Sequence, residues 1–234
     1  MSVWFEWMFV EAGLASLDSN CLSDVERAHL AQLRFERRRA EWLLGRWAAK
    51  QLLRRVLPQM ANLPLSALSI ENSPVGVPQV RLAGERLPGC LSISHRDGGA
   101  LVAWTQASSG HLGVDLERVE AHSAAFAADY FTPAEQHLVA EAEQKDVALS
   151  CLWSVKEAML KALQTGLRLD TRAVEVLALP TLEGGDWTRL PVRGPLQDEQ
   201  VWLAWMRCEG QKIFSAAWCG AALQEIHWRR WIAD

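Results

Sequence analysis

A carboxylate and an ammonium stand four residues apart in the stretch Trp153-Ser154-Val155-Lys156-Glu157-Ala158-Met159-Leu160-Lys161. Cys151, Leu152, Val155, Met159, Leu160 and Leu163 recur at three- and four-residue spacings, which predicts a helix with an apolar face, and Trp153, Glu157 and Lys161 share one side of it. Glu157 and Lys161 at i and i+4 can simply pair on the helix surface, a contribution of roughly 0.2–0.5 kcal/mol, or they can be held there for chemistry. A second set of acids bears on that choice. Leu112-Gly113-Val114-Asp115-Leu116-Glu117-Arg118 reads as an apolar strand interrupted by two carboxylates, and residues two apart in a strand project to one side. Like charges on one face repel unless a cation lies between them, and oxygen-only ligands suit Mg²⁺, which is satisfied by a few carboxylates together with substrate phosphates. An edge strand with two solvated acids is the competing reading.

Two further polar groupings stand out. Ser92-Ile93-Ser94-His95 ends a strand at the lip of a turn, where His95 is either a surface residue or a ligand. Arg34, Arg37, Arg38 and Arg39 form a basic cluster, either a solvated helix face or an anion site.

The elements that must carry these groups follow from periodicity and punctuation. Val3–Val10 reads as a strand, and Ser23 with Glu26 three residues on predicts a capping box. The helical pattern then runs from Asp24 to about Val56, as one helix or as two joined near Arg34–Arg39, until Pro58 ends it. Short strands are expected at Gln79–Leu82, Cys90–Ser94 and Ala100–Thr105, the last two joined through Asp97-Gly98-Gly99. Thr132-Pro133-Ala134-Glu135 is a helix start with both an N-cap and a capping box. Thr165-Gly166 predicts the C-cap of the central helix; Val174–Leu179, Val201–Arg207 and Ile213–Trp218 read as strands, with a loop over Leu177–Pro195.

Composition limits what such a chain does. With 234 residues and 50% hydrophobic content it can bury a substantial core, and a net charge of −4 with a pI near 5.9 argues against nucleic-acid binding, which needs a basic surface. No basic leader and no apolar run of membrane-spanning length are present, so a cytoplasmic protein without a membrane partner is expected. Five cysteines without a C-x-x-C pair suggest idle thiols in a reducing compartment rather than disulfides or structural zinc.

The chain also echoes itself. Trp42 to Lys50 and Trp153 to Lys161 each place a lysine eight residues after a tryptophan within a helix, and each helix is followed later by a hairpin ending in Ala-Trp, at Ala103-Trp104 and Ala217-Trp218. This predicts an α+β fold of two similar subdomains, 1–108 and 109–234, divided in the linker-like Ser108-Ser109-Gly110. In this alignment Arg46 falls opposite Glu157, and a site at the seam is expected.

Taken together, Gly113-Val114-Asp115-Leu116-Glu117, Trp153-Ser154-Val155-Lys156-Glu157-Ala158 and Lys161 resemble the signature of the 4′-phosphopantetheinyl transferases of the two-subdomain, monomeric, surfactin-synthetase-activating type. Gly45-Arg46, Gly76-x-Pro78, Ser92-Ile93-Ser94-His95 and Phe131-Thr132-Pro133-Ala134-Glu135 support the likeness, which runs over residues 34 to 167. It implies two α+β subdomains related by a pseudo-two-fold with the active site at their interface. The activity implied is transfer of the phosphopantetheine arm of coenzyme A to a serine hydroxyl on an acyl or peptidyl carrier protein, releasing adenosine 3′,5′-bisphosphate. By the same resemblance Asp115, Glu117 and Glu157 would hold Mg²⁺, Lys161 would contact the phosphate under attack, and Glu157 would take the proton of the carrier serine. Ser94 and His95 would bind the coenzyme A phosphates, with Arg46 and Arg39 adding positive charge. Two positions depart from the pattern: Val77 stands where some members carry lysine, and Glu41 where some carry a basic residue. A catalytically silent coenzyme A- or carrier-binding module of the same fold is the alternative from another class; retention of all four of Asp115, Glu117, Glu157 and Lys161 weighs against it. A different Mg²⁺-dependent phosphohydrolase would explain the acids but not the Ser-x-Ser-His and Trp-x-x-Lys-Glu-Ala segments.

Overall fold

The computed structural model describes residues 2–11, 19–165, 169–179, 185–195 and 200–233. Mixed helix and sheet form two compact units, one of Met1–Ser108 with Leu223–Asp234 and the other of Ser109–Ala222. None of the described helices is long and apolar enough to cross a membrane, and all five cysteines are free thiols.

In the first unit, strand β1 (Ser2–Glu11) is followed by helices α1 (Asp24–Gln32) and α2 (Glu36–Val56). The predicted capping box forms: the Ser23 hydroxyl accepts from the Glu26 backbone N–H while the Glu26 carboxylate accepts from the Ser23 N–H. Of the two expectations for the run from Asp24 to Val56, two helices is the outcome. Leu33 and Phe35 are extended, and Arg39 reaches back from the first turn of α2 to donate to the carbonyls of Leu30 (2.7 Å), which also takes the Leu33 backbone N–H, and of Leu33 (3.4 Å). A small antiparallel sheet of β2 (Leu68–Asn72), β3 (Pro78–Leu82) and β4 (Glu85–Arg86) precedes the hairpin of β5 (Cys90–Arg96) and β6 (Gly99–Thr105). Its turn places both Asp97 (φ 47°) and Gly98 (φ 77°) in the left-handed region, as the Asp-Gly signal requires. Helix α2 lies on this hairpin and β1 and buries Leu44, Ala48, Leu52 and Leu53 against Met8, Val102 and Trp104.

The second unit opens with β7 (Gly110–Arg118), then α3 (Ala124–Tyr130), α4 (Pro133–Glu141) and α5 (Lys145–Ala162). It continues with β8 (Glu175–Val176), β9 (Thr188–Leu190), β10 (Val192–Arg193), β11 (Val201–Glu209) and β12 (Lys212–Gly220). Its main sheet runs β7-β12-β11-β9, with β8 and β10 paired separately. Two departures concern the middle of this unit. The strand expected at Val174–Leu179 is shorter, and the expected loop up to Pro195 contains β9 and β10. The predicted cap at Gly166 lies outside the described residues.

Strand β13 (Glu225–Trp231) runs parallel to β1 and completes a sheet ordered β13-β1-β6-β5. The end of the chain, expected with the second half, therefore belongs to the first unit.

Each unit contains the same arrangement. Strand order β1-β6-β5 matches β7-β12-β11, and each sheet carries a long helix, α2 or α5. In each, the glutamate of a capping box meets a buried lysine of the long helix. Lys50 Nζ donates to Glu26, to Cys21 O (2.8 Å) and to Leu68 O (2.7 Å), while Ile70 N donates to Glu26 Oε1 (3.1 Å). Lys156 Nζ donates to Glu135 Oε2 (2.7 Å) and Val174 O (2.6 Å), while Val176 N donates to Glu135 Oε1 (2.9 Å). Desolvation lowers both lysine pKa values, against the pull of the partner glutamate. These clamps fix the register of the echo: Trp47-Ala48-Ala49-Lys50 matches Trp153-Ser154-Val155-Lys156, Gln51 matches Glu157, and Arg55 matches Lys161. The alignment of Trp42 with Trp153, and of Arg46 with Glu157, is out of register.

Candidate active site

The acidic strand and the central helix meet in the second unit because Gly113 lets them. A Cβ there would lie 2.0 Å from the Ala158 carbonyl oxygen and 2.6 Å from Ala162 N, so only glycine permits α5 to approach β7 this closely. Two residues along the same strand face, Asp115 is carried under the helix and is only 4% exposed. Lys161 Nζ donates to Asp115 Oδ1 at 2.6 Å and to Val114 O at 3.1 Å, and Ser154 Oγ donates to Asp115 Oδ2 at 3.1 Å. Lys161 is thus an ion-pair partner of the buried strand carboxylate, and its charge acts on Glu157 as well.

Glu157 is half-buried, and desolvation raises its carboxyl pKa; the Lys161 ammonium pulls it down and the Asp115 charge pushes it up again. Asp115, Glu157 and Lys161 therefore act on one another electrostatically. Glu117, half-buried, follows on the same side of β7. Among the described residues no three His, Cys, Asp or Glu side chains are gathered to hold a metal ion, so Asp115, Glu117 and Glu157 do not form a closed cage. Their chemistry nevertheless fits a hard divalent cation. All offer oxygen, and positive charge between Asp115 and Glu157 would relieve the repulsion that raises the Glu157 pKa.

The remaining expected residues lie in the first unit. His95 is exposed near the end of β5, with Nδ1 3.8 Å from Glu41 Oε2, and a Cβ at Gly45 would meet its ring at 3.7 Å. Glu41 also takes Arg37 Nε at 2.9 Å, and Arg37 Nη2 reaches Asp97 at 3.1 Å. Glu41, one of the two departures from the expected pattern, thus gathers His95 and Arg37. Ser94 is buried. Arg46 is 6% exposed, stacks over Trp42 at 4.7 Å and donates from Nη2 to Asn72 Oδ1 at 3.2 Å; burial lowers its pKa to about 10, which leaves it charged at neutral pH. Arg39 is engaged by the end of α1.

Two features escaped the sequence reading. Ser215, the partner of Asp115 across β7 and β12, joins Ser154 beneath the carboxylate; only strand register places it there. The lysine–glutamate clamps were legible in principle, since Trp-x-x-Lys occurs at Trp47 and at Trp153, each downstream of a Ser/Thr-x-x-Glu box.

Over residues 111–184 the chain matches the family model of the 4′-phosphopantetheinyl transferase superfamily (ACPS). A solved structure of an apo-ACPS from Chronobacterium ammoiniagenes is similar, 19% identical, over 43% of this chain and 94% of its own, with a TM-score of 0.34. No curated protein matches.

Proposed function

We propose that the protein transfers the 4′-phosphopantetheine arm of coenzyme A to a serine hydroxyl of an apo acyl or peptidyl carrier protein and releases adenosine 3′,5′-bisphosphate. The observation that carries this reading is that the superfamily match over residues 111–184 falls on the segment in which β7 and α5 bring Asp115, Glu157 and Lys161 into mutual electrostatic reach. The reacting pyrophosphate is polyanionic, and a Mg²⁺ ion held by Asp115, Glu117 and Glu157 would supply neutralising charge there. Lys161, whose side chain is 30% exposed beside Asp115, offers an ammonium to the phosphoryl oxygens as charge develops on them. Glu157, its carboxyl pKa raised by burial, is the base for the serine proton. Ser94 and His95, with Arg46 and Arg39, are assigned to the coenzyme A phosphates, and Arg46 would have to exchange its Asn72 contact to reach them. The same proposal has a monomer acting in the cytoplasm on a protein partner, as the surfactin-synthetase-activating type does.

The test is direct. Incubation with coenzyme A, Mg²⁺ and a panel of apo-carrier proteins is expected to add one phosphopantetheine to the mass of at least one carrier and to release adenosine 3′,5′-bisphosphate. No mass gain on any carrier, with the chain folded and binding coenzyme A, would leave the silent-module reading in its place.

A further inference from the structure

Asp115 is held at both carboxylate oxygens, by Lys161 at Oδ1 and by Ser154 at Oδ2. Behind Ser154 stands Ser215, with its Oγ 2.8 Å from Ser154 Oγ and 2.7 Å from the Ser154 carbonyl oxygen. Both serines are fully buried. Two hydroxyl protons serve these three contacts, and a carboxylate can only accept. The Ser154 proton therefore goes to Asp115, and the Ser215 proton goes to the Ser154 carbonyl oxygen, which likewise can only accept. The order Ser215 to Ser154 to Asp115 follows.

The first unit shows that the scaffold does not need this chain of hydroxyls. On the face of the first sheet that α2 covers, Met8 pairs with Val102 and Val10 with Ala100 across β1 and β6, where on the face under α5 Asp115 pairs with Ser215 across β7 and β12, and the clamp register sets Ala48 opposite Ser154. Beneath the long helix the first unit thus has only apolar side chains at these strand pairs and at Ala48, where the second unit has two serines and an aspartate. Ala48 is itself fully buried on α2, so the helix packs well without a hydroxyl there. Buried hydroxyls are unfavourable unless bonded, so a pair of them under one carboxylate marks a requirement other than packing.

We propose that Ser154 and Ser215 are positioning residues that fix the rotation of the Asp115 carboxylate, keeping Oδ1 on Lys161 while Oδ2 is tied to α5. This rests on the transfer reading. Ser154 acts on Asp115 directly, and Ser215 acts through Ser154. Supporting groups of this kind around acidic ligands change metal affinity or activity by about 10- to 100-fold when removed.

Ser154→Ala, Ser215→Ala and the double variant, made in the full chain, separate this role from packing. Melting, Mn²⁺ affinity by electron paramagnetic resonance in the presence of coenzyme A, and kcat and KM for coenzyme A with an apo-carrier are measured together. Each single variant is expected to stay folded, to lose about 10- to 100-fold in Mn²⁺ affinity and in kcat, and to keep the parent KM for coenzyme A. The double variant should be no worse than Ser154→Ala if Ser215 reaches the Asp115 carboxylate through Ser154. Folded Ser215→Ala with the parent's Mn²⁺ affinity and kcat overturns the proposal, as do losses that add in the double variant. Should alanine at 215 unfold the chain, Ser215→Cys, a weaker donor, must show a partial loss, and parent values there overturn it equally. A wild-type chain that neither binds Mn²⁺ nor modifies a carrier sinks the transfer reading itself, and this inference with it.

Discussion

Glu157 is a carboxylate held where the fold disfavours its charge. Burial, the largest influence, raises its pKa above the ordinary 4.5, and Asp115 adds to the rise while Lys161 opposes it. The folded chain therefore holds this proton to higher pH than the unfolded chain, so the stability that Glu157 contributes is fully present below 4.5 and is lost as pH climbs through the raised pKa. Glu157→Gln removes that decline. At neutral pH it is expected to melt above the parent, with the gap closing under acid, while transfer slows by about 10²- to 10⁴-fold as the base is lost. Equal melting across the pH range would mean that the carboxylate is not desolvated. Lys161 differs in sign, because it compensates a buried carboxylate. As an exposed helix pair with Glu157 it would contribute only about 0.3–0.5 kcal/mol. Bound to Asp115, its replacement in Lys161→Met leaves a buried acceptor without its cation, and a loss of about 1–3 kcal/mol in denaturant unfolding is expected. The transfer rate should fall on the order of 10²-fold or more. Parent activity in Lys161→Met would make the residue structural only.

The helices and strands that carry these side chains were legible where the signal is local. The boxes at Ser23/Glu26 and Thr132/Glu135 start helices as expected, the Asp97-Gly98 turn closes a hairpin, and the two-residue period places Asp115 and Glu117 on one side of β7. Where a distant segment decides, the sequence is silent. No proline or glycine marks the break at residues 33–35, which Arg39 stabilises from the next helix. Lys161 has Glu157 as its visible neighbour in sequence, yet its partner comes from a strand far upstream. Trp42 and Trp47 both precede Lys50, and only the clamp contacts show that Trp47 is the counterpart of Trp153. The clamp also separates scaffold from chemistry within Trp-x-x-Lys-Glu. Its lysine recurs in the first unit, where glutamine follows it, so Lys156 belongs to the fold, which leaves Glu157 for the proposed site. Lys50→Met and Lys156→Met should each then cost about 3–5 kcal/mol by leaving a buried glutamate unpaired. The glutamate cannot simply be removed in compensation. Glu135 also accepts from Thr132 N and Val176 N at 2.9 Å each, so Glu135→Leu with Lys156→Met is expected to recover only part of the loss in urea unfolding. Full recovery would show that the capping and strand contacts of Glu135 contribute little.

At the scale of the whole chain, the first unit is closed by its two ends. β13 is the outermost strand of the sheet and runs parallel to β1, with Ser2 beside Glu225 and Met8 beside Trp231, while β6 holds the other edge of β1. Side chains reinforce the pairing: Trp231 Nε1 donates to Glu6 Oε2 at 2.6 Å, and the Arg229 guanidinium lies 4.1 Å from the centre of the Trp4 ring. Glu6 is a buried acid, 9% exposed, so loss of Trp231 leaves its carboxylate short of a donor. Consecutive N–H groups of a strand flanked on both sides point alternately to its two neighbours. A chain ending at Ala222 would thus lose the partners of every second amide between Val3 and Met8, while the intervening amides keep β6. Hydrogen exchange is the measurement that sees this alternation. Faster exchange at alternate β1 amides is expected, together with a lower melting temperature and a stronger tendency to self-associate, because an apolar strand is newly presented at a sheet edge. Uniform protection along β1 in the truncated chain would mean that β13 is an accessory strand and that the first sheet is complete with β1, β6 and β5 alone.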